Sequence, residues 1–215
     1  MADPKPEGAK GFSWSTFYGY RKEIRKFYPS VYGLRIRKKL FDVVMEEVLS
    51  GDRVLDVGAS TRSLGERIQA RAPAVTYKTM DIDRAGSHDY YSLDDIKERF
   101  NLIILSEVIE HLEFNDGIGL LRRLNGLLAP GGKIIISTPN MHHPNRWWDS
   151  DHRTSYRYDE IAGALVWTGY EIKGIYRIYN DQFARRFVRL HLMAWLHRYL
   201  DVDFATSVVV VAVKK

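Results

Sequence analysis

The stretch from Arg53 to Arg62, RVLDVGASTR, most constrains the fold of this chain. Its apolar residues are β-formers in a nearly unbroken run, which is typical of a strand buried on both faces of a parallel sheet. Asp56 interrupts the run near its end, where burying an acid is costly without a partner. Gly58 permits a sharp turn or a close approach to a ligand. Because ligands of open α/β sheets lie at the carboxyl ends of the strands, we expect a binding site here.

The same stretch resembles the first motif of the class I S-adenosylmethionine (SAM) dependent methyltransferases, an apolar strand followed by acidic-x-Gly-x-Gly-x-Gly. The first glycine is present as Gly58, while Ser60 and Arg62 occupy the second and third glycine positions. The resemblance implies that Asp56, Gly58, Ala59 and Ser60 bind SAM. It also implies a methyl-transferring enzyme.

Apolar runs and turn residues predict a Rossmann-like, doubly wound α/β fold. We expect a seven-strand sheet that is mostly parallel and has one antiparallel strand, the latter from the family resemblance over about residues 38–178. The predicted strands are 54–57, 75–82, 89–93, 100–105, 133–137, 170–179 and 207–213. The predicted helices are 34–49, 64–71, 120–128, 158–169 and 181–200.

The domain organisation follows from composition along the 215 residues. Residues 1–11 are predicted to be a disordered tail, residues 12–33 a basic aromatic N-terminal arm, and residues 34–215 the SAM-binding methyltransferase domain. The absence of cysteine excludes disulfides, thiolate metal sites and cysteine nucleophiles. No signal peptide is apparent and no apolar run is long enough to span a bilayer, so we expect a cytoplasmic location.

Positive charge is concentrated near the amino terminus. The range from Lys10 to Lys39 holds nine Lys or Arg and one acid, whereas the whole chain has a net charge of +5. This pattern indicates either an anionic partner, such as RNA, an anionic substrate or a membrane surface, or a solvated helical face. The aromatic and basic residues of 12–28 suit nucleic-acid stacking, or a short helix that packs on the sheet domain and roofs the substrate pocket. We favour the helix.

A second acid follows the second predicted strand. Asp81 lies 25 residues after Asp56, and its carboxylate offers two acceptor oxygens for the hydroxyls of a ribose. The family has its ribose-binding acid at this point, followed by an apolar residue against adenine, here Ile82. The resemblance further places Ser92 and Leu93 at the adenine edge. The alternative is that Asp81 simply ends a strand.

Titratable residues follow the fourth predicted strand in the segment SEVIEHL, residues 106–112. Glu107, Glu110 and His111 have the spacing i, i+3, i+4, which places them on one face of a helix. Two carboxylates and an imidazole at a binding edge are costly unless they bind something. By the resemblance, Ser106 and Glu107 contribute to the SAM site.

In a first interpretation, His111 is a general base, because its ordinary pKa near neutrality suits removal of a proton from a hydroxyl or amine. Glu110 and His152 complete the candidate catalytic set. Many small-molecule methyltransferases of the family carry a similar Glu-x-x-Glu-His segment. The acceptor would then be an O or N atom of a small molecule, which includes anionic ones.

In a second interpretation, Glu107, Glu110 and His111 bind Mg²⁺ or Mn²⁺ together with His152 from the polar loop 141–157. This arrangement resembles the small-RNA 2′-O-methyltransferases, whose acceptor is a 3′-terminal ribose. A metal would lower the pKa of the attacking hydroxyl. In those RNA methyltransferases a later histidine begins a segment His-x-Phe-Glu-Trp-Thr-Arg. In this chain the Phe, Glu and Trp positions after His152 hold Thr154, Ser155 and Tyr156.

In a third interpretation, Glu107 binds the methionine amino group or caps a helix, and His111 has no chemical role. His142, His143 and Asp149 are further candidate ligands.

The tryptophan pair of the polar loop allows two interpretations. Trp147 and Trp148 suit either a lid over the acceptor or an anchor for the loop. The class of the protein also allows two interpretations. It is either an enzyme or a non-catalytic scaffold that binds SAM or a nucleotide. The sequence gives no indication of oligomeric state.

Overall fold

The computed structural model describes residues 13–145 and 149–215. The predicted tail, residues 1–11, and the predicted lid or anchor residues Trp147 and Trp148 lie outside the described residues. The helices are Trp14–Phe27 (α1), Leu40–Glu47 (α2), Ser63–Arg71 (α3), Phe114–Leu127 (α4), Tyr158–Trp167 (α5), Phe183–Phe187 (α6) and Ala194–Tyr199 (α7). The strands are Arg35–Arg37 (β1), Arg53–Val57 (β2), Thr76–Met80 (β3), Phe100–Ser106 (β4), Leu128–Pro139 (β5), Tyr170–Ile178 (β6) and Ser207–Lys214 (β7).

The seven strands form one sheet in the order β1-β6-β7-β5-β4-β2-β3. β7 pairs antiparallel with both β5 and β6, and the other pairs are parallel. The predicted Rossmann-like sheet, mostly parallel with one antiparallel strand, is therefore confirmed. The strand order reverses between β2 and β4, which is where open α/β sheets bind ligands.

Apolar residues cover both faces of the sheet, because neighbouring residues of a strand point to opposite sides. Leu55 and Val57 of β2 belong to a core cluster with residues of α1, α4 and α5. Val54, one position away, packs in a second cluster with residues of α2 and α3. Burial on both sides explains why the parallel strands have continuous apolar runs instead of alternating ones.

The predicted strand 89–93 is wrong. Only a single bridge joins Tyr90 to Met80, and a 3₁₀ turn begins at Leu93. The Asp89 carboxylate accepts hydrogen bonds from the Thr79 N–H and from other β3 groups, so this segment is fixed mainly by a side chain.

The seventh strand is instead β1, which pairs parallel with β6 at the sheet edge. β1 lies within the predicted helix 34–49, so the predicted start of that helix is also wrong. A strand of three residues with a charged residue at each end is too short to show a recognisable apolar pattern. The helix begins only after Lys39, whose N–H donates to the Asp42 carboxylate.

Two further helix predictions differ from the structure. The predicted helix 120–128 spans Phe114–Leu127, so its first turns were missed. The predicted helix 181–200 is divided into α6, a π-helical turn at Val188–Leu192, and α7. A uniform apolar stripe does not reveal such an internal change of helical period.

The N-terminal arm forms helix α1, which packs against α5. Phe17 is buried in this contact, and the buried carboxylate of Asp159 accepts hydrogen bonds from Arg21 and Arg25. Part of the positive charge of the arm is therefore paired with a carboxylate inside the protein. Among the described residues, the helices are all too short or too polar to cross a membrane.

Candidate active site

The turn after β2 requires a glycine. Gly58 has φ +73, and a Cβ atom there would overlap the Val108 side chain. The Gly58 N–H donates to the Met80 carbonyl at 2.8 Å, which ties the turn to β3. Ser60, at the second glycine position, also has a left-handed backbone with φ +49. Its N–H donates to the Asp81 carboxylate at 2.8 Å.

A cavity of about 560 Å³ opens beside this turn, a volume typical of small-molecule sites. Five of the predicted SAM-binding residues line it together: Gly58, Asp81, Ile82, Ser92 and Leu93. The Ile82 side chain is 82% exposed, so an apolar surface is available for a flat ring to cover.

The Asp81 carboxylate is fixed by its surroundings before any ligand binds. One oxygen accepts the Ser60 N–H and the other accepts the Asp83 N–H at 2.9 Å. Each carboxylate oxygen can accept a second hydrogen bond, so both stay available to a vicinal diol. Ser92 accepts the Asp94 N–H, which fixes the opposite wall of the cavity.

The remaining predicted cofactor residues have different surroundings. Asp56 is buried, and its carboxylate accepts a hydrogen bond from the Tyr77 hydroxyl in the core. Burial raises the pKa of Asp56 to about 6, which the Tyr77 hydrogen bond partly opposes. The Ser106 hydroxyl lies 3.1 Å from that of Ser137. Ala59 lies in the turn, where its N–H points to Met80.

The prediction that Glu107, Glu110 and His111 share one helical face is wrong. Glu107 has a left-handed backbone with φ +51, and only Ile109–His111 forms a 3₁₀ turn. A left-handed conformation at a non-glycine residue is strained and occurs often at functional sites. The Glu107 N–H donates to the Ser137 carbonyl, which holds this bend against β5.

Glu110 is a buried acid at the centre of this segment. It is 1% exposed, and its carboxylate lies next to the side chains of Glu107 and Thr138 but has no partner with good hydrogen-bond geometry among the residues that the structure describes. Burial raises the pKa of Glu110 to about 8, and the charge of Glu107 adds to that rise. Buried polar groups in native proteins are ordinarily satisfied, so Glu110 is a candidate for contact with a ligand.

Two histidines lie next to Glu110. The rings of His111 and His152 have centroids 4.9 Å apart in an edge-to-face arrangement. One ligand atom from each of Glu110, His111 and His152 falls within 4.8 Å of the others, close enough to share a metal ion. Glu107, the fourth residue of the predicted metal set, is not a member of this group. The His111 Nδ1 also lies 3.4 Å from the Asp151 carboxylate.

A second cavity of about 550 Å³ lies next to His152. Its wall includes Glu107, His152 and two of the further candidate ligands, His143 and Asp149. His111 lines the first cavity and His152 the second. The pair therefore marks the boundary between the two spaces.

Three residues near the site depart from the sequence predictions. His142 is turned away, with its Nδ1 3.3 Å from the Asp201 carbonyl. Asp151 and Arg123 line the first cavity and were not predicted. Asp151 is one of several polar residues in a loop without periodicity, and Arg123 lies on an amphipathic helix, so neither has a distinguishing signal in the sequence.

Comparison with known proteins gives a family match. The model of a family described as methyltransferase domain matches residues 32–177, which is more than half of the chain. A curated relative, the ubiquinone biosynthesis O-methyltransferase of Nitrobacter winogradskyi, is 33% identical over 108 residues. That alignment spans 43% of this chain and 40% of the relative, so the chain matches less than half of that protein's length.

Solved structures share the fold. A SAM-dependent methyltransferase from Archaeoglobus fulgidus has a TM-score of 0.59 at 16% identity, covering 92% of this chain and 94% of that one. The N-methyltransferase NodS from Bradyrhizobium japonicum, in complex with S-adenosyl-L-homocysteine, has a TM-score of 0.56 at 14% identity, with coverages of 93% and 98%. At such identities the likeness concerns the fold alone.

Proposed function

The chain belongs to the methyltransferase domain family of class I SAM-dependent enzymes, and from that premise we propose that it transfers a methyl group to an O or N atom of a small molecule. The contact between His111 and His152 carries this proposal. His111 lines one cavity and His152 the other, so a methyl donor in the first and an acceptor in the second would meet near the histidine pair.

In this proposal SAM occupies the first cavity. The Asp81 carboxylate accepts the two ribose hydroxyls, and Ile82 packs on the adenine. Gly58 lets the backbone approach the ligand closely, and Ser92 and Leu93 border the adenine edge. When bound, SAM supplies a methyl group on a sulfonium, which an oxygen or nitrogen nucleophile can attack in line.

The acceptor occupies the second cavity. Glu107 borders this space and His152 lies at its inner wall, so both are placed to orient the acceptor. His111 removes a proton from the attacking hydroxyl or amine, and the Asp151 carboxylate, 3.4 Å from its Nδ1, is placed to orient the ring. Burial and the neighbouring Glu107 carboxylate raise the pKa of Glu110, which favours the protonated form that can donate a hydrogen bond.

The test is S-adenosylhomocysteine (SAH) formation from SAM with a panel of hydroxylated and amino compounds. His111→Ala should lower turnover by roughly 100-fold with an active acceptor while SAH affinity stays within about twofold. The control is Asp116→Ala, which removes an exposed titratable side chain that lines neither cavity. Unchanged turnover in His111→Ala would remove this residue from the mechanism.

A metal-dependent variant of this function is the second candidate, and the grouping of Glu110, His111 and His152 favours it. The donor set, one carboxylate oxygen and two imidazoles, suits Mg²⁺ less well than Mn²⁺. The unpartnered carboxylate of Glu110 fits such a role. A bound divalent cation would supply a Lewis acid that lowers the pKa of an acceptor hydroxyl.

Calorimetric titration of Mn²⁺ into the SAH-saturated protein separates the two candidates. One binding site that is lost in Glu110→Gln, but kept in Glu113→Gln with its exposed carboxylate, would support the metal. Absence of binding in the parent protein would leave the metal-free mechanism.

RNA as the acceptor receives less support than a small molecule. Arg21 and Arg25 of the basic arm are bound to Asp159 and are not free to contact phosphates. A non-catalytic scaffold would bind SAH normally but give no turnover with any acceptor, and the His111→Ala comparison would then show no difference.

A further inference from the structure

The segment between β6 and β7, residues 183–200, has an exposed apolar stripe. Trp195 is 68% exposed and Tyr199 is 82% exposed, which is unusual for large aromatic residues. The exposed members, which together form this stripe, occur in all three parts of the segment: α6, the π-helical turn and α7. They are Phe183, Phe187, Val188, Leu192, Trp195, Tyr199 and Leu200.

The opposite side of the 183–200 segment is attached to the protein body. Leu190 and Ala194 line a small cavity of about 230 Å³ against the body. Arg189 donates to the Asp181 carboxylate at 2.6 Å and lies 3.7 Å from the ring centroid of Phe204. The segment is therefore held against the protein body, and its apolar stripe is exposed in that arrangement.

Positive charge borders the stripe. Residues 183–200 include four arginines and two histidines and no acid. Within the described part of the chain, Arg189 is the one arginine of the four with a carboxylate partner. Arg198 lies 5.9 Å from the ring centroid of Tyr32, whereas Arg185 and Arg186 are left to interact with something outside the chain. Exposed aromatic and aliphatic side chains next to unpaired arginines are typical of helices that lie in a membrane interface.

We propose that residues 183–200 dock this protein on an anionic membrane surface, with the apolar stripe in the interface and the arginines at the lipid phosphates. Charge complementarity favours lipid over a second copy of this chain. A self-interface on this stripe would bring together the unpaired arginines of both copies, whereas an anionic leaflet attracts each of them.

The location of the segment links docking to the candidate active site. It connects the carboxyl end of β6 to the start of β7, at the sheet edge that holds the second cavity. Just after it, the Asp203 N–H donates to the His142 carbonyl, and the ring of Phe204 lies 6.0 Å from that of His143. If the proposed function holds, on which this step rests, the acceptor is an amphiphile taken from the membrane.

Sedimentation with phosphatidylcholine vesicles, with and without phosphatidylserine, tests the docking. The parent protein should bind the phosphatidylserine vesicles and dissociate as salt is raised. The double variant Trp195→Ser, Arg185→Glu changes two exposed side chains and should lower the partition coefficient by roughly tenfold or more. The control Leu49→Ser, Lys215→Glu makes the same kinds of change at the opposite edge of the sheet and should bind like the parent.

Either of two results would overturn the proposal. One is parent protein that stays in solution with phosphatidylserine vesicles at low salt, or a double variant that binds as the parent does. The other is a parent dimer in analytical ultracentrifugation that the double variant dissociates, since the stripe would then be a self-interface. Vesicle binding needs neither SAM nor acceptor, so its outcome is independent of the methyl-transfer assay.

Discussion

The Ser60 N–H donates a 2.8 Å hydrogen bond to the Asp81 carboxylate and so joins the turn after β2 to the end of β3. Ser60 occupies the second glycine position of the motif and keeps the left-handed backbone that a glycine adopts easily, with φ +49. The hydrogen bond offsets part of that backbone cost. The turn therefore has a left-handed residue at this position although that residue is not glycine.

The same hydrogen bond makes Asp81 the residue on which SAM binding should depend most. Asp81→Ala removes the acceptors for both ribose hydroxyls and should weaken SAH binding by tenfold or more, measured by calorimetry. Asp116→Ala, an exposed acid of α4, is the control and should bind SAH normally. Equal affinity in Asp81→Ala and the parent would show that the ribose assignment is wrong.

Gly58→Ala should destabilise the protein and weaken SAH binding together. The new Cβ would overlap Val108, and φ +73 is costly for alanine, so we expect a loss of about 1–3 kcal/mol in urea unfolding. Gly119→Ala is the control, because nothing lies within 4 Å of its Cβ position on α4 and alanine favours helix there. Adding Val108→Ala should recover part of the loss in Gly58→Ala; no recovery would mean that Val108 is not the obstacle.

Long apolar strands were the most predictable part of this fold. β2, β4 and β7 have runs that burial on both faces demands, and their positions were predicted closely. β1 was missed because its three residues pair at a sheet edge, where a partner strand and not a local pattern fixes the backbone. Contacts that are distant in sequence leave no periodic signal.

The candidate site likewise contains residues whose positions the sequence predicts and residues whose positions it does not. Gly58 and Asp81 follow strands directly, so their spacing predicts that they meet at one cavity. Glu107 and Glu110 are close in sequence, yet a left-handed bend at Glu107 interrupts the helical geometry that their spacing predicts. Asp151 reaches His111 through a loop whose path depends on tertiary contacts, such as the Arg153 N–H donated to the Glu110 carbonyl.

Asp56 should make stability depend on pH between its ordinary and its folded pKa. Burial raises the pKa of Asp56 from 3.8 to about 6, so between these values the folded state binds more protons than the unfolded state. The contribution of Asp56 to stability is complete below pH 3.8 and is lost as the pH rises through about 6. Asp56→Asn cannot titrate, so it should be more stable than the parent near pH 7, on the order of 2 kcal/mol by urea unfolding, and closer to it near pH 4.

Tyr77→Phe is the companion to that prediction. The Tyr77 hydroxyl donates to the Asp56 carboxylate and partly lowers its raised pKa. Without this donor, the Asp56 pKa should rise further, and the loss of stability near pH 7 should exceed the loss near pH 4. A loss that is the same at both pH values would show that Asp56 is not the group that titrates.

The attachment of α1 to α5 should depend on one buried carboxylate. Asp159 is fully buried and accepts hydrogen bonds from Arg25 at 2.8 Å, from Arg21 at 3.2 Å and from Arg157 at 3.2 Å. Asp159→Ala leaves partly buried guanidinium groups without their acceptor, so we expect a loss of about 3 kcal/mol in urea unfolding.

Glu23→Ala is the matched control for Asp159→Ala. It also removes a carboxylate that pairs with a basic residue of α1, Lys26, but both partners are more than half exposed. Water screens such a pair, so its removal should cost less than about 1 kcal/mol. Similar losses in the two variants would mean that packing around Phe17, and not the Asp159 ion pairs, holds α1 in place.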